Sequence, residues 1–317
     1  MSARSGMFRV VASWAVLALP AAAGMVPAPP PAPLPFAAPV RPGVTERIVV
    51  AVRIDGAGPF HFLVDTGADS SMVSPGLVRK LSLALHRDGS EQVQGTTGVE
   101  RLPWVLIRRL RVGAIVKRDL RMPVSHSPVM IGLDGILGMA GFGPVRLVVD
   151  FHRHVVTIER SSRRILGSFL QIPAQRTTGG LLGIAARVAD VPVEAVLDTG
   201  SADTFGNLAL RKALLRDSKN AALAVVYGVT RQVASGGVVR APPIYLGPAA
   251  IRNLAVVYSD IPIFKVWHLQ HRPALLIGMN VLGTARALIL DYPRARVYLL
   301  TAPPSSVRIT HEFFPIP

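Results

Sequence analysis

Two short stretches decide how this chain is read: Phe62-Leu63-Val64-Asp65-Thr66-Gly67-Ala68 and Ala195-Val196-Leu197-Asp198-Thr199-Gly200-Ser201. Each is an apolar run that ends in Asp-Thr-Gly, and the two aspartates lie 133 residues apart. A short helical pattern follows each copy, Leu77 to Leu81 and Leu210 to Leu214, in which Arg79 is matched with Arg211; Ser74-Pro75 is a cap-then-proline start for the first. An apolar pair plus glycine comes next, Ile136-Leu137-Gly138 and Leu276-Ile277-Gly278. Each copy then runs through a strand into Asp plus an aromatic, Asp150-Phe151 and Asp291-Tyr292, and ends in a closing strand, Val155 to Ile158 and Val297 to Leu300. Landmarks in one order at a nearly constant offset identify an internal duplication.

Between the landmarks the pattern is mostly strand. Arg47 to Ile54 alternates and is rich in Val and Ile, Asp55-Gly56 signals a hairpin, and Phe60 to Val64 returns toward Asp65. Ile184 to Val188, Ala189-Asp190 and Val193 to Leu197 repeat that hairpin. The expectation is an all-β fold of two lobes related by a pseudo-twofold axis, with a cleft between them, covering residues 43–165 and 166–304 and joined near Arg163 to Ser168. Glycine (28) and proline (27) are too frequent for long helices to dominate. Residues 1–23 have a short basic region (Arg4, Arg9), an apolar run from Val10 to Pro20 and a small-x-small site at Ala21 to Ala23, the pattern of a secretory signal peptide. Residues 24–42 read as a Pro/Ala-rich spacer and 305–317 as a tail. The chain is therefore expected to be exported, periplasmic or secreted, with no stable membrane span once the signal is removed.

The net charge of +16 favours anionic surroundings, but the basic residues are scattered and carry no nucleic-acid motif. Cysteine is absent, which excludes thiol nucleophiles and cysteine metal sites. His152 and His154, expected on one strand face, and His268 and His271 lack carboxylates at metal-ligand spacing, so no metal and no cofactor is expected. No nucleophile elbow, P-loop or dinucleotide fingerprint is present.

Physically, an apolar strand delivers Asp to its end, glycine permits a tight turn, and threonine offers a hydroxyl to tie the loop down. Two such loops brought together by symmetry place two carboxylates side by side, where both cannot easily ionise, so they share a proton. One carboxylate can then accept a proton from water while the neighbouring acid polarises a carbonyl.

From about residue 44 to 302 the sequence resembles the retropepsin and pepsin clan of aspartic peptidases. Asp65-Thr66-Gly67-Ala68-Asp69 is similar to the retroviral form of the motif, and Asp198-Thr199-Gly200-Ser201 to the pepsin form. With both motifs in one chain, it looks like a fused single-chain version that would suffice as a monomer. The resemblance implies an endopeptidase acting on polypeptides, with Asp65 and Asp198 as the dyad. It implies that Thr66 and Thr199 interlock the loops and that Gly67 and Gly200 admit the peptide backbone. Glycine-rich flaps are implied as well: Gly95-Thr96-Thr97-Gly98 in the first half, without a tyrosine and so retropepsin-like, and Ser235-Gly236-Gly237 in the second. Ser201, unlike Ala68, can donate to a nearby carboxylate and make the dyad asymmetric. Asp69 and Asp203 are alternatives for substrate backbone contact or plain solvated loop acids. Two rival readings stand beside the peptidase: a non-catalytic peptide-binding module of the same fold in the cell envelope, and a duplicated β-domain whose aspartates only cap turns.

Overall fold

The computed structural model describes residues 47–301 apart from 163, 166, 178 and 215–221. The expected signal peptide, spacer and tail lie outside the described residues, and the expected junction from Arg163 to Ser168 falls partly outside them.

Strands dominate, and the described α-helices are single turns or little more: Pro75–Lys80, Leu208–Ala213, Pro262–Val266 and Met279–Leu282. None is long and apolar enough to cross a membrane among the described residues. The first half opens with the hairpin Val49–Ile54 and Ala57–Asp65, paired Val50 to Phe62. The second opens with Leu182–Val188 and Val191–Leu197, paired Ile184 to Ala195. The apolar alternation puts Val50, Val52 and Ile54 into the core of the first lobe, and Ile184 and Val188 into that of the second.

In each half the glycine triplet forms a strand parallel to the one that carries the aspartate. Leu63 faces Ile136 and Asp65 faces Gly138; Val196 faces Leu276 and Leu197 faces Ile277. A two-residue strand, Met72–Val73 or Phe205–Gly206, runs antiparallel on the triplet's other side. The chain just after each aspartate therefore folds back over the triplet glycine. A side chain at Gly138 would strike the Ser70 backbone, and one at Gly278 the Asp203 backbone. Ser71 and Thr204 complete the arrangement, their hydroxyls accepting from Gly138 N and Gly278 N, both at 3.1 Å.

The helices that follow are capped alike. Ser74 Oγ accepts from Leu77 N at 3.3 Å and Asn207 Oδ1 from Leu210 N at 2.9 Å. Leu77 and Leu210 are both buried. The structural match is thus Ser74 with Asn207 and Leu77 with Leu210. It moves the partner of Arg79 from Arg211 to Lys212, one residue from the match expected by sequence.

The halves are not separate bodies. Hairpin Val145–Asp150/Val155–Arg160 of the first half pairs directly with Ala287–Asp291 of the second, Val148 opposite Ile289. Arg296–Leu300 and Leu170–Arg176 extend the same sheet into the second lobe, where it becomes fourteen-stranded, against seven strands in the first lobe's own sheet. Asp150 and Asp291 each accept the N–H of the residue three further on in their hairpin turns. His152 and His154 lie exposed in one of those turns rather than on a strand face. Arg108, Arg109 and Arg111 point to solvent.

Candidate active site

Both Asp-Thr-Gly loops come to the junction of the lobes and are tied to each other by four hydrogen bonds. Thr66 Oγ1 donates to Leu197 O at 2.8 Å and accepts from Thr199 N at 3.0 Å. Thr199 Oγ1 donates to Val64 O at 2.7 Å and accepts from Thr66 N at 3.2 Å. Both threonines are buried. Each hydroxyl uses its one proton and a lone pair across the pseudo-twofold axis, which fixes the backbone on both sides of each aspartate.

Gly67 N donates to Asp65 Oδ1 and Gly200 N to Asp198 Oδ1, both at 2.8 Å. The space beside each glycine is filled by the opposite carboxylate. A Cβ on Gly67 would lie 2.5 Å from Asp198 Cγ, and one on Gly200 would collide with Asp65 Cγ. The expectation was that these glycines admit a peptide backbone. What they admit is the other loop's aspartate, and that close approach brings the two acids together.

The carboxyl groups hydrogen-bond each other. Burial raises both above the ordinary carboxylate range. Asp65 is raised further by the charge of Asp198 and by its hydrogen bond to it, a bond that pulls Asp198 the other way. The two acids therefore sit in unlike surroundings, and their titration belongs to the pair. Asp198 also accepts from Ser201 N at 3.2 Å. The asymmetry expected from Ser201 has a different source in the structure. The Ser201 hydroxyl turns away to Asp203 O at 2.8 Å, and its backbone N–H meets the carboxylate.

Two hairpins close over this pair. In the first half, Leu85–Gly95 and Gly98–Val112 turn at Thr96 and Thr97. In the second, Ala222–Tyr227 and Val233–Arg240 turn between Gly228 and Gln232. A cleft of about 310 Å³ is lined by Asp65 and Asp198 on one side and by Thr96, Gly228 and Val229 from the two turns on the other. The hairpins touch at their tips: Thr97 and Thr230 hydroxyls are 3.0 Å apart and Arg231 Nε donates to Glu100 Oε1 at 2.5 Å, while Ser125, outside both hairpins, donates its hydroxyl to Val229 O at 2.7 Å. Gly236 and Gly237 do not form the second turn. They sit in its returning strand opposite Ala224 and Leu223, and a side chain at Gly236 would press on Val257 and Ser259. The true tip was readable as a repeat, because Gly228 and Thr230 stand 133 residues after Gly95 and Thr97, the spacing of the aspartates. A search for glycine pairs passes over it.

Asp69 and Asp203 do not correspond. Asp69 is exposed and accepts from the neighbouring Ser70 hydroxyl, whereas Asp203 lines the cleft. Sequence reading also missed Tyr292. Its side chain is buried at 2% exposure, and burial together with the charges of Asp65 and Asp198 keeps its phenol protonated. The hydroxyl has no hydrogen-bond partner among the described residues. No group of three or more metal-binding side chains is assembled among the described residues.

Two β-lobes interlocked through matching Asp-Thr-Gly loops, with paired acids beneath hairpin flaps, define the aspartic peptidase class. Residues 50–143 match the family model described as gag-polyprotein putative aspartyl protease, and residues 184–281 match the aspartyl protease family model. The chain is a duplicated retropepsin-like aspartic peptidase, with one aspartyl-protease domain in each half. No curated protein matches it.

Proposed function

We propose that the chain is an endopeptidase in which Asp65 and Asp198 jointly activate a water molecule. The single observation that supports this most is the meeting of the two carboxyls, each raised by burial and each seated against the opposite loop's glycine, inside a cleft roofed by both hairpins. An extended peptide lies across the cleft and bonds to the hairpins through its backbone in strand fashion. Water gives a proton to Asp198 as its oxygen attacks the scissile carbonyl carbon, while Asp65 gives its proton to the carbonyl oxygen. The resulting gem-diol collapses. The C–N bond breaks, the amine nitrogen takes the proton held by Asp198, and a diol proton returns to Asp65. The polypeptide passes beneath the touching flap turns, which favours cleavage within a chain over removal of terminal residues.

The test is peptide-library turnover by wild-type protein and by the Asp65→Asn and Asp198→Asn variants. Each variant is expected to lose on the order of a thousandfold or more in kcat, in line with the loss of a general acid or base. Turnover at the parent rate by either variant overturns the assignment. Tight peptide binding without cleavage at any pH from mildly acidic to neutral gives the non-catalytic reading instead. Export, proposed from the leader-like residues 1–23, is checked by the N-terminal sequence of the mature protein.

A further inference from the structure

Arg47 is a cation in the wall of the active-site cleft. It lines the same cavity as Asp65 and Asp198 and is partly buried. One guanidinium nitrogen, Nη1, donates to Val129 O at 3.1 Å, which anchors the side chain against the lobe. It takes part in none of the ion pairs among the described residues. A guanidinium carries five N–H donors in a rigid plane and stays charged at any working pH, so a single carbonyl leaves most of its capacity unused.

The duplication shows why this cation stands without a carboxylate. Leu63 and Val196 are equivalent positions, and the residues opposite them are Val49 and Gly183. Two residues earlier along the chain, just ahead of each strand, stand Arg47 and Leu181, so the second lobe has a buried leucine where the first has the arginine. The Asp-Thr-Gly loop of the second lobe contributes Ala202 to the same lining. Ala202 is the equivalent of Asp69, because Met72 and Phe205 occupy the same place against their triplet strands. The acid kept in the first lobe is thus an alanine in the second, within the lining that Arg47 shares. Asp203, the other acid of the cleft lining, is the equivalent of Ser70 and forms no ion pair with Arg47. The cleft is electrically lopsided about its own pseudo-axis, in a molecule whose net charge of +16 already draws anions toward it.

We propose that Arg47 is a specificity-determining residue that receives the carboxylate of an acidic substrate side chain, so that peptides with Glu or Asp beside the scissile bond are the preferred class. The inference rests on the peptidase reading for the identity of the ligand, but not on turnover. A substrate carboxylate supplies the oxygens that Ala202 does not, and the partly buried position screens the pair less than open solvent does. A planar bidentate contact also fixes the register of the peptide over the dyad.

The experiment uses two matched peptide sets built on one library-derived sequence, with Glu or Gln placed in turn at each position flanking the scissile bond. Wild-type protein and the Arg47→Gln and Arg47→Lys variants are compared by kcat/KM. They are also compared by the affinity of the same peptides with a reduced, uncleavable bond. The quantity read is the Glu-to-Gln ratio within each protein, which is independent of the fraction of active molecules. At one position wild type is expected to favour Glu about tenfold in both measurements, as for a hydrogen bond to a charged group. Arg47→Gln should bring the ratio to about one, and Arg47→Lys should hold it between the two. A ratio near one at every position in wild type, or a preference that survives in Arg47→Gln, overturns the proposal. An Arg47-dependent ratio in binding with no cleavage of either set upholds it while removing the hydrolytic reading. Cleavage without any Glu preference does the reverse.

Discussion

Gly67 and Gly200 each leave a gap that the opposite aspartate occupies, so Gly200→Ala is expected to abolish turnover by driving Asp65 away from Asp198. The loss should be hundredfold or more in kcat, since sub-ångström placement of reacting groups controls such rates, with circular dichroism unchanged. The interlock is structural as well as positional. Thr199→Val keeps the shape, loses the hydroxyl and leaves Val64 O and Thr66 N unpaired in a buried place. A destabilisation of about 2 kcal/mol is expected from denaturant unfolding, the cost typical of orphaned buried groups.

Titration belongs to the same residue scale. Because the pair shares one proton, activity should follow a bell in pH. It falls on the acid side as the pair takes up a second proton and on the alkaline side as it loses the shared one, at a pH raised by burial. Since both folded-state values lie above the unfolded ones, the native state binds more protons in the interval between them. The pair's contribution to stability is therefore highest below the unfolded carboxylate range and declines as pH rises toward the folded values. Asp65→Asn removes one ionisable partner, and its melting temperature at neutral pH should exceed that of the parent while activity is lost. An unchanged or lower midpoint would count against a raised Asp65.

At the scale of elements, the two hairpins are latched at their tips by Thr97 with Thr230 and by Arg231 with Glu100. Glu100 keeps only a small exposed fraction, 13% of its side chain, against 78% for Arg231, so the pair is anchored at the glutamate. Substrate entry requires these contacts to part. Glu100→Gln with Thr230→Val is expected to speed amide hydrogen exchange at both turns and to raise KM severalfold with a smaller effect on kcat, because closure holds the peptide rather than performing chemistry. Exchange rates equal to the parent at residues 96–98 and 228–232 would show that the tips are not held by these groups. The triplet strands have the opposite character. Gly138 and Gly278 are pinned under backbone and bonded to Ser71 and Thr204, so the loops they support are among the least free parts of the fold.

For the molecule as a whole, the decisive feature is the sheet that passes from one half into the other. Hairpin Val145–Arg160 presents Val145, Leu147 and Val149 to a core completed by Leu288 and Leu290 of the second half. Neither half buries its apolar face alone. Equilibrium unfolding should show one transition, coincident by fluorescence and far-ultraviolet circular dichroism, and a fragment ending near residue 165 should aggregate or remain unfolded in isolation. Two resolved transitions would show that the lobes fold independently.

The sequence alone determined the duplication, the all-β class, both opening hairpins and the pairing of Asp65 with Asp198, because a strand must alternate to bury one face and a repeated landmark needs no coordinates to be seen. It carried the second flap tip at Gly228 to Gln232 only as a repeat of Gly95 and Thr97 at the spacing of the aspartates, which a reading by glycine pairs passes over, because a turn depends on where two strands come into register and not on glycine content. Only the tertiary structure decided what fills the space beside Gly67 and Gly200 and where the Ser201 hydroxyl turns. It also placed Arg47 and Ala202 in the lining of one cleft. Apart from the local turn of Ser201 to Asp203, these placements are set by how two lobes close on each other; local pattern fixes which way a side chain leaves its own strand, but not what it meets.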